Sequence, residues 1–255
     1  MQDLTLTLIQ DSIYWQEPEA NREHFEVLIS QAPASDLILL PEMFSTGFSL
    51  ESFQLAETMT GESIHWMTRM ARESGAVIAG SLILEDAGHY FNRLIWMRPD
   101  GSFAFYDKRH LFRMAEEHRH YKPGDARLVV TLNGWRICPL VCYDLRFPVW
   151  SRNNSSFDLL LYVANWPEKR RMHWQRLLPA RAIENLCYVA GLNRVGEDGN
   201  NIAYSGDSVV ISPQGEELLN AGSEAGLFTV QLNHAELMSY REAFPAHLDA
   251  DHFSL

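Results

Sequence analysis

Cysteine is scarce in this 255-residue chain, which holds only Cys138, Cys142 and Cys187 and no Cys-x-x-Cys pair. An odd count without paired spacing excludes a disulfide framework and a thiolate zinc site, and it predicts a reducing, cytoplasmic setting. Long apolar runs are missing too. The longest, near Phe157 to Ala164, is broken by Asp158 and falls far short of the ~20 residues that cross a bilayer. No basic stretch with an apolar core precedes Asp3 and Leu4, so an unexported, soluble protein is expected. Positive charge is in deficit, with a formal net charge of -12 and a pI near 5.2. That excludes nucleic acid and anionic membrane as partners, because both need a basic face. Repeats, low-complexity tracts and linkers are also lacking. With 46% hydrophobic residues the chain can bury one large core, so a single domain over residues 1–255 is expected.

The charge that is present is unevenly spread. From Lys108 to Arg194 there are 15 Lys/Arg against 7 Asp/Glu, and the remainder holds 6 against 26. A concave site built in this basic island would attract a small anion, although any one of these arginines can equally be a solvated or ion-paired surface group.

The pattern of elements begins β-α-β-α-β. Residues 4–9 alternate as a strand, a helix is expected from Pro18 to Ser30, and 36–42 is an apolar run stopped by Pro41, with Glu42 just past its end. A helix from Glu62 to Ser74, stopped by Gly75, leads into a strand beginning at Ala76. Residues 89–107 read as two strands joined at Pro99-Asp100-Gly101, and 108–127 as a long functional loop with at most a short helix. Asn133-Gly134 then marks a hairpin whose second strand ends on Cys142. Further strands are expected at 158–164, 187–193, 207–211 and 227–232, with a helix from 171 to 185 that either kinks or restarts at Pro179. Interleaved strands and helices make an α/β layered domain.

Cys142 lies where an apolar strand meets a turn, followed by Pro148 at the start of a short helix. Such a thiol can be an exposed nucleophile, yet free cysteine more often packs as a small hydrophobe. His110, His118 and His120 in the long loop leave a Cys/His pair open. His118-x-His120 lacks the carboxylates that would complete a metal site, and no metal or cofactor is expected. A Cys-Glu-Lys set is the alternative: Glu42 could take the thiol proton, while Lys108 could stabilise an oxyanion.

Three segments, Leu39-Leu40-Pro41-Glu42-Met43-Phe44, Tyr106-Asp107-Lys108-Arg109-His110-Leu111-Phe112 and Leu140-Val141-Cys142-Tyr143-Asp144-Leu145-Arg146-Phe147-Pro148, resemble in order the catalytic signatures of the nitrilase superfamily of carbon–nitrogen hydrolases. Residues 121–125, 165–167 and 180–185 extend the similarity along the chain. The resemblance implies a four-layer αββα sandwich, a Glu-Lys-Cys triad and a homodimer. It makes Glu42 the general base, Lys108 the oxyanion lysine, Cys142 the nucleophile and the Tyr143 backbone N–H a second oxyanion donor. Glu117, rather than Glu116, would be a second glutamate that orients lysine and substrate.

Within that superfamily, residues 107–115 and 141–153 look most like bacterial ω-amidases, which release ammonia from α-ketoglutaramate or α-ketosuccinamate through a cysteine thioester. Such a substrate carries a carboxylate, which the basic island could meet. Arg113 is the first candidate to bind it, with Arg170 and Arg194 next; Asn165 and Trp166, after a buried strand, are further substrate contacts. Arg146 is expected to orient the cysteine turn through Asp144. Other amidases, nitrilases and carbamoylases share the chemistry, and a catalytically silent thiol sensor is the rival from another class.

Overall fold

Alternation within short strands decides how the layers stack. The computed structural model describes residues 2–154 and 156–251. Its first half contains β1 (Leu4–Gln10), α1 (Pro18–Gln31), β2 (Leu37–Leu39), α2 (Ser52–Leu55), α3 (Glu62–Ser74), β3 (Val77–Asp86), β4 (His89–Met97) and β5 (Phe103–Asp107). After a long loop come β6 (Val130–Leu132), β7 (Trp135–Val141), α4 (Pro148–Ser151), β8 (Leu159–Ala164), α5 (Arg171–Asn185) and β9 (Tyr188–Asn193). The remainder is β10 (Val195–Glu197), β11 (Ala203–Ser205), β12 (Val209–Ile211), β13 (Glu217–Asn220), β14 (Gly226–Leu232) and α6 (His234–Ala243).

Two six-stranded mixed sheets form, in the orders β14-β1-β2-β3-β4-β5 and β13-β12-β9-β8-β7-β6. The centres are parallel, β1 to β3 in one sheet and β7 to β9 in the other. On β2, Leu37 and Leu39 join the core between the sheets, whereas Ile38 joins Phe25 of α1 and Met67 and Met70 of α3 on the outer face. Across the second sheet, Gly191 of β9 leaves the space filled by Trp174 and Leu178 of α5. The order is helix, sheet, sheet, helix, as the resemblance implied. Each fully buried Leu or Ile contributes about 1.5–3 kcal/mol, so the inter-sheet layer is a stiff base for the strand ends.

Asn133 and Gly134 both have positive φ, 51° and 89°, and close the β6–β7 hairpin as this dipeptide does in a type I′ turn. Several boundaries differ from the sequence reading. β2 ends at Leu39, ahead of Pro41, and α5 runs continuously through Pro179. The long loop holds two single 3-10 turns, Arg113–Ala115 and Glu117–Arg119. The small β10–β11 hairpin, β13 and α6 carry too little periodicity to be read from sequence. Among the described residues no helix is long and apolar enough to cross a membrane.

Candidate active site

The ends of β2, β5, β7 and β8 converge on one cleft, the carboxyl-end position where α/β sheets assemble sites. On β5, Ala104 and Tyr106 face the inter-sheet core, so Lys108, two residues on, points the same way and is 1% exposed. Glu42 arrives by another route. Past β2 the chain continues beside β3 through Leu40 N–H to Ala79 O (2.8 Å), Met43 N–H to Ser81 Oγ (2.8 Å) and Phe44 N–H to Ser81 O (3.1 Å).

Cys142 follows β7 with a φ of 45°, a left-handed backbone that costs a non-glycine residue about 1–3 kcal/mol and must be held by its surroundings. Asp144, fully buried, does the holding. Its Oδ2 accepts from Val141 N–H (3.1 Å) and the Tyr106 hydroxyl (2.7 Å), and its Oδ1 from His110 N–H (3.0 Å), with His110 Nδ1 at 2.8 Å. Tyr106 and His110 stand two residues either side of Lys108. One carboxylate therefore ties the lysine turn to the cysteine turn.

The structure brings Glu42, Lys108, Glu117 and Cys142 together. Lys108 Nζ donates to Glu42 Oε1 (2.8 Å) and to both Glu117 oxygens (3.0 and 3.1 Å). Asn165 N–H donates to Glu42 Oε2 (2.8 Å), and Phe112 N–H to Glu117 Oε2 (2.5 Å). Both glutamates are 0% exposed. Burial alone would discharge the lysine, but Glu117 and Glu42 outweigh it and hold Lys108 well above the ordinary ammonium range. Burial pushes the Glu117 carboxyl up, against the pull of Lys108. Burial, reinforced by the charge of Glu42, pushes the Cys142 thiol well above its usual range, with Lys108 opposing. The resting sulfur is thus a thiol beside a carboxylate, and the lysine is a fixed cation.

The remaining candidates divide. Glu116 is exposed and pairs with Arg119 (2.9 Å). His118 and His120 are exposed and His110 is committed to Asp144, so the loop histidines do not supply a base for Cys142. Among the described residues no cluster of His, Cys, Asp and Glu could hold a metal ion. Arg113 corrects the sequence reading: its 3-10 turn leaves it exposed and outside the cleft lining. Arg194 is also outside; it is buried against the Tyr204 ring (4.7 Å) and donates to the backbone oxygens of Ile13, Val195 and Glu197. Arg146 does not reach Asp144. It lies over Trp166 (4.9 Å), bonds His173 Nδ1 (2.8 Å) and lines the cleft with Arg170.

Asn165 and Trp166 both line the cleft, but each also has a structural partner: Asn165 Nδ2 donates to Glu42 O (2.5 Å) and Trp166 Nε1 to Arg170 O (2.8 Å). Tyr143 stacks edge-on with Phe112 (5.0 Å). The cleft, with a volume of about 70 Å³, is also lined by Phe48, Phe112, Ile202 and Tyr204, and among the described residues its lining includes no acidic side chain. Sequence reasoning missed Phe48, Tyr204 and Asn92. Asn92 alone left a signal: it shares the face of Leu94 and Trp96, where β4 turns toward the core.

The chain belongs to the carbon–nitrogen hydrolase family, whose model matches residues 5–242. It is 51% identical to omega-amidase YafV of Escherichia coli strain K12 over 100% of both chains. It is 31% identical to a 2-oxoglutaramate amidase of Bacillus subtilis strain 168, over 94% of this chain and 95% of that one. A carbon–nitrogen hydrolase superfamily protein of Xanthomonas campestris, solved with an arsenic adduct in its active site, superposes with a TM-score of 0.98 at 46% identity over 100% of both chains.

Proposed function

We infer that the chain is an ω-amidase that hydrolyses the terminal amide of α-ketoglutaramate or α-ketosuccinamate to the keto acid and ammonia. The observation that carries this reading is a buried Glu42–Lys108–Cys142 cluster opening on a cleft whose charged lining beyond the triad, among the described residues, is arginine alone. The full-length similarity to ω-amidases supports the same substrate class.

Glu42 takes the Cys142 proton as Sγ attacks the amide carbonyl, so no free thiolate need exist in the resting enzyme. The oxyanion that forms is met by Lys108 Nζ and the backbone N–H of Tyr143. On collapse the C–N bond breaks, the proton passes from Glu42 to the leaving nitrogen, and ammonia departs, leaving a thioester. Water then loses a proton to Glu42 and attacks the thioester; the C–S bond breaks and the proton returns to sulfur. Glu117 accepts from Lys108 with both carboxylate oxygens, holds it in place beside Glu42 and keeps it charged.

Arg146 and Arg170 hold the substrate carboxylate. Burial pulls the Arg146 guanidinium below the ordinary arginine range, and the like charge of Arg170 adds to that pull, so an anion between them relieves both. A charge-assisted hydrogen bond contributes about 1.5–3 kcal/mol, or roughly 10- to 150-fold in affinity. Ammonia release is to be measured in parallel with α-ketoglutaramate, glutamine, a neutral aliphatic amide and a nitrile. The keto-acid amide should be preferred, and Arg146→Ala or Arg170→Ala should raise its KM by roughly that factor with little change for the neutral amide. Preference for the neutral amide, or equal losses on both substrates, would remove the assigned specificity.

A further inference from the structure

Among the described residues Asn92 is the one neutral side chain hydrogen-bonded to both carboxylates of the cluster. Its Nδ2 donates to Glu42 Oε1 at 2.8 Å and lies 3.4 Å from Glu117 Oε1. Its backbone carbonyl accepts Lys108 N–H at 3.0 Å, so the strand that supplies the amide also sets the height of the lysine. The residue is 1% exposed, and its Oδ1 has no hydrogen-bond partner. Turning the amide over would aim that oxygen at two carboxylates, so the N–H groups must face them. Packing does not account for such a residue: its neighbours on the same face of β4 are Leu94 and Trp96, and a leucine would fill the place without orphaning an acceptor.

We propose that Asn92 is a positioning residue for the general base: its N–H fixes the orientation of the Glu42 carboxylate beside Cys142. Glu42 Oε1 is shared between Lys108 and Asn92, and Oε2 is taken by Asn165 N–H. Lys108 divides its charge between two glutamates. The other titratable groups that face the pair are Cys142, Tyr121 and Tyr204. The inference rests on the reading of Glu42 as the base.

The test uses Asn92→Leu, which keeps volume and loses the donor, and Asn92→Ser, which keeps one donor, with the melting temperature of each measured alongside. The readouts are kcat and KM for α-ketoglutaramate, taken separately. For Asn92→Leu kcat should fall at least tenfold with KM little changed, as expected when a base is misplaced but substrate binding is not. Asn92→Ser should restore most of kcat. An unchanged kcat in Asn92→Leu, or equal losses of kcat in both variants, overturns the proposal, because either marks a residue that does not act through its N–H. Glu42→Gln, run in parallel, separates the two claims: turnover that survives it defeats the base assignment itself, whatever the Asn92 variants do.

Discussion

Gly124 offers a test of how the lysine is held. It lies in the segment Tyr121–Asp125, and its N–H donates to the Lys108 carbonyl at 3.1 Å. Its backbone is not left-handed, so alanine meets no conformational penalty there. The contact is the obstacle. A Cβ would sit 2.2 Å from the Asp107 carbonyl oxygen and 2.9 Å from both Asp107 C and Cβ. Because the neighbour is backbone, residues 107 and 108 must retreat by about 1 Å, an overpacking cost of about 1–3 kcal/mol. At about 2–4 °C per kcal/mol for a chain of this size, Tm should fall by several degrees. A lysine misplaced by about 1 Å should in addition lower kcat on the order of 100-fold. Gly191→Ala is the matched control: its Cβ would meet Leu178 Cδ1 at 2.6 Å and Trp174 Cζ2 at 2.8 Å, in the α5–β9 contact rather than the Lys108 turn. Steady-state ammonia release and thermal unfolding on both variants decide the matter. Gly124→Ala should lose far more kcat than Gly191→Ala at comparable loss of Tm. Equal kcat for the two, or a Gly124→Ala enzyme within twofold of the parent, would refute the claim that this packing positions Lys108.

Two further outcomes follow from buried groups. In Asp144→Asn, whichever way the amide lies, its NH2 must face donors now served by Oδ1 or Oδ2. The substitution should cost on the order of 2–5 kcal/mol, read as a drop in urea midpoint, with a fall in kcat/KM beyond the loss of folded enzyme; an unchanged midpoint would mean that Asp144 does not hold the two turns. For the free enzyme, a thiol whose proton affinity is raised by burial and by Glu42 stays protonated at neutral pH. Its alkylation by iodoacetamide should therefore keep rising as pH passes about 8.5, the ordinary thiol value. A rate plateau below that point would mean a preformed thiolate.

Much of the site was legible because strand alternation and strand ends carry chemical information. Tyr106 of β5 and Lys108 just past its end are inward by parity, and Cys142 directly follows an apolar strand. The ordered motifs then suggested the αββα sandwich. What could not be read is set by contacts distant in sequence. Glu117 is favoured over its neighbour Glu116 through the resemblance alone, and the physical reason is the 3-10 turn after Glu116, whose φ is 60°, which buries Glu117 on Lys108. Charge alone favoured Arg113, yet its turn points it away, whereas Arg146 is turned into the cleft by the nucleophile's own 3-10 segment. Asn92 was passed over within a plausible hairpin strand, although a polar residue at a core-facing position is the feature that should have flagged it. Tyr204 enters the cleft from a three-residue strand with no periodicity to read.

Ammonia release from α-ketoglutaramate by Cys142→Ala, with folding checked by an unchanged melting curve, tests most directly whether this buried thiol carries the reaction. Loss of turnover to the uncatalysed background is expected, since the carboxylate and the lysine have no other nucleophile to activate at that position. Turnover within about tenfold of the parent would contradict it, because removing a true nucleophile costs orders of magnitude more.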